Sequence, residues 1–224
     1  SALIGCIIGS SLSGLFASRF GRKRSLIFAG ICFFLSAWGS MEPETYILPQ
    51  GHPDWTLLVV FNIYRVLGGI GVGMASAICP MYIGEVAPSN IRGMLVSWNQ
   101  FAIIFGQLVV YFVNFIIMGS HANPIYDAAG AIANMVDAQW TIETGWRYMF
   151  GSECVPAGLF TFLICFVPET PRYLVMVGQD EKAYGILAKI NGAEKAREII
   201  LDIKNTVTVK TEKLFSYGFM CIFV

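Results

Sequence analysis

The stretch of the sequence that decides the fold covers residues 64 to 107, YRVLGGIGVGMASAICPMYIGEVAPSNIRGMLVSWNQFAIIFGQ. It contains two long apolar runs, and a short polar hinge around Pro88 joins them. A few charged and amide side chains interrupt or flank these apolar runs, namely Arg65, Glu85, Arg92, Gln100 and Gln107. Because polar and ionisable groups are costly inside a lipid bilayer, their presence in such runs indicates a function beyond folding.

The composition of the whole chain excludes an ordinary water-soluble globule. Of its 224 residues, 55% are hydrophobic and only 13% are charged, and the mean hydropathy is +0.61. An average soluble domain has about 25% charged residues. The sequence therefore predicts a membrane protein that is surrounded by a lipid bilayer.

Five apolar runs predict the membrane helices, at 1–18, 25–41, 57–83, 94–118 and 146–167. The first run starts without a preceding charged region, and a further apolar run occupies only 214–224, whereas a membrane helix needs about 20 residues. We therefore expect the chain to begin and end within membrane helices. The prediction is a membrane domain over 1–167, a helical cytoplasmic domain over 168–213 and the start of another membrane helix at 214–224. Gly178 and Gly192 are predicted to divide the cytoplasmic domain into about three short helices.

The basic residues are distributed unevenly between the connecting segments. Of the 15 Lys and Arg residues, 13 lie in segments 19–24, 92 and 172–213, which are alternate connections. The opposite segments, 42–56 and 119–145, contain acids but no Lys or Arg and are predicted to be loops. Since basic residues accumulate on the cytoplasmic side, the pattern predicts that these alternate connections are cytoplasmic. We expect a multi-pass protein of the inner (plasma) membrane.

A stripe of amide side chains follows the fourth apolar run. Gln100, Gln107 and Asn114 are spaced by seven residues and therefore share one helix face. Gln100 lies roughly 12 Å and Gln107 roughly 22 Å from Arg92 along the helix, near the middle of a bilayer core of about 30 Å. An interhelical hydrogen bond would explain a single glutamine. The stripe favours a polar cavity for an uncharged, polyhydroxylated ligand, because amides both donate and accept hydrogen bonds.

Two ionisable residues of opposite sign lie at matching depths in different helices. Arg65 is eight residues beyond Leu57, and Glu153 is seven residues beyond Trp146. Both runs start from the same side, so the depths are roughly 12 and 10 Å. Such groups mark ion or proton pathways, and the alternative is a structural salt bridge.

A third group of charges lies at the predicted cytoplasmic ends of the helices, namely Arg19, Arg22, Lys23, Glu85, Arg92, Glu169 and Arg172. The acids contribute nothing to orientation, but they can pair with the cations. Ion pairs that form in one conformation and break in another would act as a gate.

No pattern typical of an enzyme, a metal site or a cofactor site occurs in the sequence. The motifs G-x-S-x-G and H-E-x-x-H are absent, and the two histidines, His52 and His121, lie in predicted outer loops. The cysteines lack the C-x-x-C spacing of metal ligands. We therefore expect a protein that is not an enzyme, binds no cofactor or metal and has no nucleic-acid partner.

Four motifs resemble those of the sugar porters of the major facilitator superfamily. They are GLFASRFGRK at 14–23, RVLGGIGVG at 65–73, PMYIGEVAPSNIRG at 80–93 and PETPR at 168–172. Two further segments, QFAIIFGQ at 100–107 and GWRYMFGSE at 145–153, are similar to the bacterial D-xylose–proton symporters of that family. The resemblance implies an all-α part of a twelve-helix membrane fold: helices 2–6, the intracellular helical domain and the start of helix 7. One departure is Ser18, where the family usually has Asp or Asn.

The resemblance also implies roles for individual residues. Gln100 matches a glutamine that contacts sugar, Arg65 an arginine that pairs with a proton-carrying aspartate of helix 1, and Glu153 an acid of the same network. Glu85, Arg92 and Arg22 match a cytoplasmic gate. The implied function is transport of a monosaccharide, D-xylose or a similar sugar, coupled to protons by alternating access. An uncoupled sugar facilitator and a sugar-sensing receptor on a transporter fold remain alternatives, and a membrane enzyme is the weakest.

Overall fold

The computed structural model describes residues 1–41, 54–88, 90–119, 125–126, 132–134 and 144–220. Four long helices come first: α1 (Ala2–Phe20), α2 (Arg22–Met41), α3 (Asp54–Val86) and α4 (Arg92–Gly119). Two shorter helices, α5 (Trp146–Ser152) and α6 (Cys154–Phe166), together form the fifth apolar segment. Three more helices follow: α7 (Pro171–Met176), α8 (Asp180–Asn191) and α9 (Ala193–Met220).

Five helical segments of the described chain are long and apolar enough to cross a membrane. They are Ala2–Phe20, Arg22–Met41, Leu58–Val86, Arg92–Gly119 and Trp146–Phe166. They coincide with the five apolar runs of the sequence, so the five predicted helices are present.

Helices α1 and α3 pack in parallel through glycines on both. A side-chain carbon on Gly69 would collide with the backbone carbonyl of Ala2, and one on Gly73 would collide with that of Cys6. Residue numbers rise along α1 as they rise along α3 in these contacts, so the two helices run in the same direction. Gly5 and Gly9 of α1 are equally close to the backbone of α3. The close helix packing predicted from the glycine-rich run is therefore confirmed.

Gly73→Ala is expected to destabilise the full-length protein, because the added methyl group would collide with a backbone that has no room to move. Overpacking of this kind typically costs about 1–3 kcal/mol. Gly84→Ala, in the same helix, is the matched control, since a methyl group there meets no atom within 4 Å. It should be neutral or stabilising, because alanine favours the helix. Thermal unfolding in detergent measures both variants, and equal unfolding midpoints would contradict the packing.

The main apolar core lies where α1, α2 and α3 meet. Its buried residues are Ala17, Leu26, Ala29, Met74 and Ile78, and Phe160 and Ile164 of α6 pack against them. Helix α4 differs, since none of its residues is buried. An apolar helix of this kind is normally covered by protein or lipid on every side. The described residues therefore leave the surface of α4 open to lipid or to further protein.

The predicted fifth helix is present, and a single turn residue with helical backbone angles, Glu153, separates α5 from α6. Pro156 lies in the first turn of α6 and has no backbone N–H to donate to the carbonyl of Ser152. This loss weakens the helix at the preceding turn, and the chain forms a turn at Glu153. The division therefore lies at the acidic residue of the membrane segment.

The segment 119–145, interpreted as a loop, contains two short antiparallel strands, β1 (Ile125–Tyr126) and β2 (Ile132–Asn134). The predicted loop 42–56 lies outside the described residues up to position 53, and α3 begins at Asp54 rather than at 57.

Helices α7, α8 and α9 form a separate small core beside the bundle. Its buried residues are Leu174, Val175 and Ala183, against which Ile186, Ile200 and Ile203 pack. The breaks predicted at Gly178 and Gly192 are present, and both glycines have positive φ angles of 79° and 86°.

The third of these helices is longer than predicted. Helix α9 continues to Met220, so the boundary predicted at 213/214 lies within a helix. The predicted division of the chain into 1–167, 168–213 and 214–224 stays a prediction.

Candidate functional site

The amide stripe of α4 lies on the open surface of that helix. The side chains of Gln100 and Gln107 are exposed, and Asn114 is half-buried. Gln100 and Gln107 make no hydrogen bond with any other described residue, so the alternative of an interhelical bond is not realised within this part of the chain. The carbonyl oxygen of the Asn114 side chain is buried and also has no partner there. The polar cavity predicted around the stripe is not enclosed by the described residues, because α4 has no buried residue.

Arg65 and Glu153, predicted to lie at the same depth, meet in the structure. The Nη1 atom of Arg65 lies 4.0 Å from the Oε2 atom of Glu153, and the two side chains are 31% and 43% exposed. The guanidinium of Arg65 also lies over the ring of Phe150, 5.0 Å from its centre. Phe61, one helical turn before Arg65, packs edge-on against the same ring at 5.5 Å. The aromatic residues thus hold the arginine beside Glu153, the turn residue between α5 and α6.

In the described part of the chain, both side chains of the Arg65–Glu153 pair keep part of their surface accessible to other groups. A guanidinium stays charged in proteins, so Arg65 needs an anion or water beside it in every conformation of the protein. The 4.0 Å separation is at the long limit for an ion pair, and it leaves both groups able to accept another partner. The arrangement can therefore exchange partners more readily than a tightly buried pair.

The second charged cluster surrounds Arg22 at the start of α2. Its Nη2 atom donates a hydrogen bond of 2.7 Å to Glu85 Oε1, and its Nη1 atom donates one of 3.2 Å to the carbonyl of Ala17. The ring of Tyr173 lies 5.9 Å from the guanidinium. Arg22 is only 7% exposed. The Oε2 atom of Glu85 is buried without a hydrogen-bond partner in the described chain.

Gly21 makes the sharp turn between α1 and α2 that brings Arg22 to this position. Its φ angle is 93°, a conformation that residues with a side chain rarely adopt. Ser18, which replaces the acid or amide of the family motif, donates to the Leu15 carbonyl of its own helix instead. Arg22 therefore takes its anchor from Ala17 and Glu85 rather than from position 18.

Glu169 acts on the backbone of the cations and not on their side chains, which corrects the pairing expected from sequence. Its Oε1 atom accepts hydrogen bonds from the backbone N–H groups of Arg22 at 2.9 Å and Lys23 at 3.0 Å, and from that of Thr170 at 3.1 Å. A carboxylate at this place satisfies the free N–H groups of α2 and interacts favourably with the positive end of the helix dipole. Glu169 thus fastens the start of α7 to the start of α2.

The other cations predicted for a gate are not in ion pairs in the part of the chain that the structure describes. Arg92 donates a hydrogen bond of 3.4 Å to the Ala87 carbonyl. Arg19 contributes its backbone carbonyl, which accepts from the Tyr173 hydroxyl at 3.3 Å. Arg172, half-buried in α7, has no described acid within ion-pair distance. The structure therefore brings Arg22, Glu85 and Glu169 together and leaves these three arginines apart.

Sequence reasoning missed two tyrosines of this cluster. The Tyr82 hydroxyl donates to the carbonyl of Pro168 at 2.7 Å, so α3 is tied to the segment before α7. Tyr173 contacts both Arg19 and Arg22. Tyr82 lies three residues before Glu85 on α3, so both side chains share a helix face. This three-residue spacing is the sequence feature that could have placed Tyr82 in the same cluster as Glu85.

Within the described ranges, no group of three or more His, Cys, Asp or Glu side chains could hold a metal ion. His52 and His121 lie outside those ranges.

Comparison with known proteins gives the family. The family model described as "Sugar (and other) transporter" matches residues 1–222. The chain belongs to the sugar transporter family. It is therefore part of an integral membrane protein, and the five membrane-spanning segments agree with this.

The similar members of the sugar transporter family are transporters rather than enzymes. The D-xylose-proton symporter of Escherichia coli strain K12 is 49% identical over 214 residues, which cover 92% of this chain and 40% of that protein. The glucose facilitated diffusion protein of Zymomonas mobilis is 31% identical over 227 residues, covering 100% of this chain and 44% of that protein. The chain thus spans less than half the length of these relatives.

A solved structure of the proton:xylose symporter XylE, bound to 6-bromo-6-deoxy-D-glucose, has the same fold. The TM-score is 0.82 at 46% sequence identity, and the match covers 97% of this chain and 44% of that one. The prediction that the chain forms part of the twelve-helix major facilitator fold is confirmed.

Proposed function

We propose that the full-length protein transports a monosaccharide, D-xylose or a similar sugar, across the inner (plasma) membrane and couples this transport to protons. The observation that carries the proposal is the Arg65–Glu153 contact inside the membrane segments of a sugar transporter family member. A relative that shares 49% of the aligned residues is named a D-xylose-proton symporter, which supports the same substrate and the same coupling. The partners are then the sugar, protons and the lipid bilayer, without cofactor or nucleic acid.

The direct test is uptake by the full-length protein in proteoliposomes. One set of vesicles has an acidic outside solution, and the control set has equal pH on both sides. Labelled D-xylose should accumulate above its external concentration only in the first set. A protonophore should abolish the accumulation. Equilibration without accumulation would reject proton coupling, and no uptake of any pentose or hexose would reject sugar transport.

The proposed sugar contacts are Gln100 and, more weakly, Gln107. Both amides are exposed and free of hydrogen bonds within the described residues, so their donors and acceptors are available to sugar hydroxyls. Gln100 lies nearer the middle of the bilayer by helix length. Closure of the binding cavity would require helices that pack on the open surface of α4.

Gln100→Ala is expected to weaken sugar binding by more than tenfold in the full-length protein. Loss of the partner of a buried hydroxyl costs about 1–3 kcal/mol, and 1.4 kcal/mol corresponds to tenfold. Gln107→Ala, the same change one stripe position away, should have a smaller effect. Isothermal calorimetry measures both variants. An unchanged affinity for Gln100→Ala would remove Gln100 from the sugar site.

The proposed gate comprises the ionic residues at the end of the bundle where α1 ends and α2 starts, which we propose faces the cytoplasm. Its members are Arg19, Arg22, Glu85, Arg92, Glu169 and Arg172. The formed contacts of Arg22, Glu85 and Glu169 stabilise one arrangement of these helices. Arg19, Arg92 and Arg172 lack acidic partners in the described residues and are therefore available to pair in another arrangement. A gate requires ion pairs that differ between two conformations, and these two sets of residues would supply that difference.

An uncoupled facilitator is the second candidate. The relative from Zymomonas mobilis, named a glucose facilitated diffusion protein, is 31% identical over the chain, so the family includes proteins with that name. The pH-gradient experiment separates the two functions, because a facilitator would equilibrate sugar without accumulating it.

A further inference from the structure

A basic groove lies beside the candidate gate, between the start of α2 and helices α7 and α8. Its volume is about 790 Å³, within the range of small-ligand pockets. Four of its lining residues are basic, namely Lys23, Arg24, Lys182 and Lys189, and Glu169 is the one acid among them. The gate described above does not use Arg24, Lys182 or Lys189.

The positive charge of the groove is not neutralised by the described part of the protein. Glu169, whose Oε1 atom accepts three backbone N–H groups, offsets one of the four positive charges, so the lining residues keep a net positive charge. Arg24, Lys182 and Lys189 form no ion pair with any described acid. Uncompensated cations that line a concave surface attract an anionic ligand.

The groove is shaped by the spacing of residues on α8. Lys182 and Lys189 are seven residues apart, so they share a helix face and lie about 10 Å apart along its axis. Gly185 lies between them, and the space beside it is open. The lysines therefore flank an indentation that faces the basic start of α2.

The position of the groove indicates a membrane lipid rather than a soluble anion. The Nζ atom of Lys23 donates to the Cys165 carbonyl at 2.8 Å, so the ammonium lies where the membrane segment Trp146–Phe166 ends. Ile27, which also lines the groove, is four residues farther into the membrane segment Arg22–Met41, about 6 Å deeper. The basic lining of α2 is thus followed by an apolar side chain, Ile27, in the direction of the bilayer core.

We propose that this groove binds the phosphodiester headgroup of an anionic phospholipid, with Lys182 and Lys189 reaching the phosphate from outside the bilayer. Basic pockets at membrane boundaries bind anionic headgroups. The ring of Tyr173 and the side chain of Ile27 then contact the glycerol and the upper acyl chains. A bound lipid would join α2 to α7 and α8, the same elements that Glu169 fastens.

The test titrates the full-length protein in neutral detergent with dioctanoyl phosphatidylglycerol, and native mass spectrometry measures the bound lipid. Dioctanoyl phosphatidylcholine is the uncharged comparison, and inorganic phosphate is the soluble comparison. Phosphatidylglycerol should bind at least tenfold more tightly than either. Comparable binding of phosphatidylcholine, or of inorganic phosphate, would overturn the proposal.

Substitutions then locate the site. Lys182→Gln and Lys189→Gln should each weaken phosphatidylglycerol binding roughly fivefold, and together roughly 20- to 30-fold. Lys195→Gln is the matched control, because this exposed lysine of α9 does not line the groove and should have no effect. The double variant Lys182→Arg/Lys189→Arg keeps both positive charges and should retain binding. If it does, the loss of binding in the double glutamine variant results from the lost charge and not from misfolding. Equal weakening by Lys195→Gln, or unchanged binding of the double glutamine variant, would overturn the site. These results are independent of sugar transport.

Discussion

Arg65→Leu is expected to abolish proton-driven accumulation of sugar while exchange of sugar across the membrane continues. The guanidinium cannot release its proton, so a coupled proton must be carried by an acid beside it. An adjacent cation favours the charged form of such an acid, and moving the cation away favours the protonated form. Arg65 would thereby link protonation to conformation. Leucine removes this link but leaves the exposed amides of α4 unchanged.

The measurement pairs two experiments on the full-length protein in proteoliposomes. Uptake with an imposed pH gradient reports accumulation, and counterflow at equal pH reports exchange. Arg197→Leu is the matched control, because Arg197 is exposed on α9, lies outside the five membrane-spanning segments and contacts Tyr184 of α8. Glu153→Gln should lower accumulation as well, since it removes the acid that contacts Arg65. If Arg65→Leu still concentrated sugar against its gradient, Arg65 would be structural and the facilitator would be favoured.

The contact between Arg65 and Glu153 could be predicted because depth in a membrane is a one-dimensional quantity. Counting residues from the helix starts placed both groups at similar depths, and in the structure they lie 4.0 Å apart between Nη1 and Oε2. Depth alone does not fix the rotation of a helix about its axis. The opposite charges of the two residues indicated that their helices are rotated so that the side chains face each other, because an unpaired charge in an apolar environment is costly. The glycine contacts of α1 and α3 were predictable for a similar reason, since small residues allow close approach.

The interactions of Glu169 and the division at Glu153 could not be predicted in this way. A carboxylate close to several cations in the folded chain is expected to pair with their side chains. Glu169 instead accepts backbone N–H groups, because Gly21 turns the chain so that the start of α2 points at it. The division of the fifth segment depends on Pro156, whose effect falls on the turn before it. Both features depend on backbone geometry that residue type and spacing do not specify.

The environment of the amide stripe on α4 also lies beyond the sequence. The seven-residue spacing places Gln100 and Gln107 on one face, but it does not say which neighbour covers that face. In the described chain no residue of α4 is buried. What completes the surface is therefore decided by segments that pack on α4 in the full-length protein or by lipid.

Glu85→Ala should cause a large loss of stability in the full-length protein. Arg22 is 7% exposed, and Glu85 is the one acid that contacts its side chain among the described residues. Removing one partner of a buried ion pair typically costs about 3–5 kcal/mol, because the other charge remains buried and unpaired. Transport should fall at least tenfold, since the balance between conformations changes. Sugar affinity should change less than about threefold, because the pair lies at the end of the bundle and away from Gln100.

A double variant without either charge distinguishes the ion pair from the general packing of this region. Arg22→Met combined with Glu85→Leu removes both charges and keeps similar volumes, and replacement of a buried pair in this way is often neutral or stabilising. The double variant should therefore regain most of the unfolding midpoint that Glu85→Ala loses, but not the transport rate. Glu181→Ala, at an exposed position in the first turn of α8, is the control and should lower the midpoint far less, since a surface acid at a helix start contributes only about 0.3–1 kcal/mol. Thermal unfolding, calorimetry with sugar and proteoliposome uptake give the three readouts. If Glu85→Ala weakened sugar binding as strongly as Gln100→Ala, Glu85 would belong to the sugar site, and if the double variant stayed as unstable as the single one, the buried charge would not be the cause.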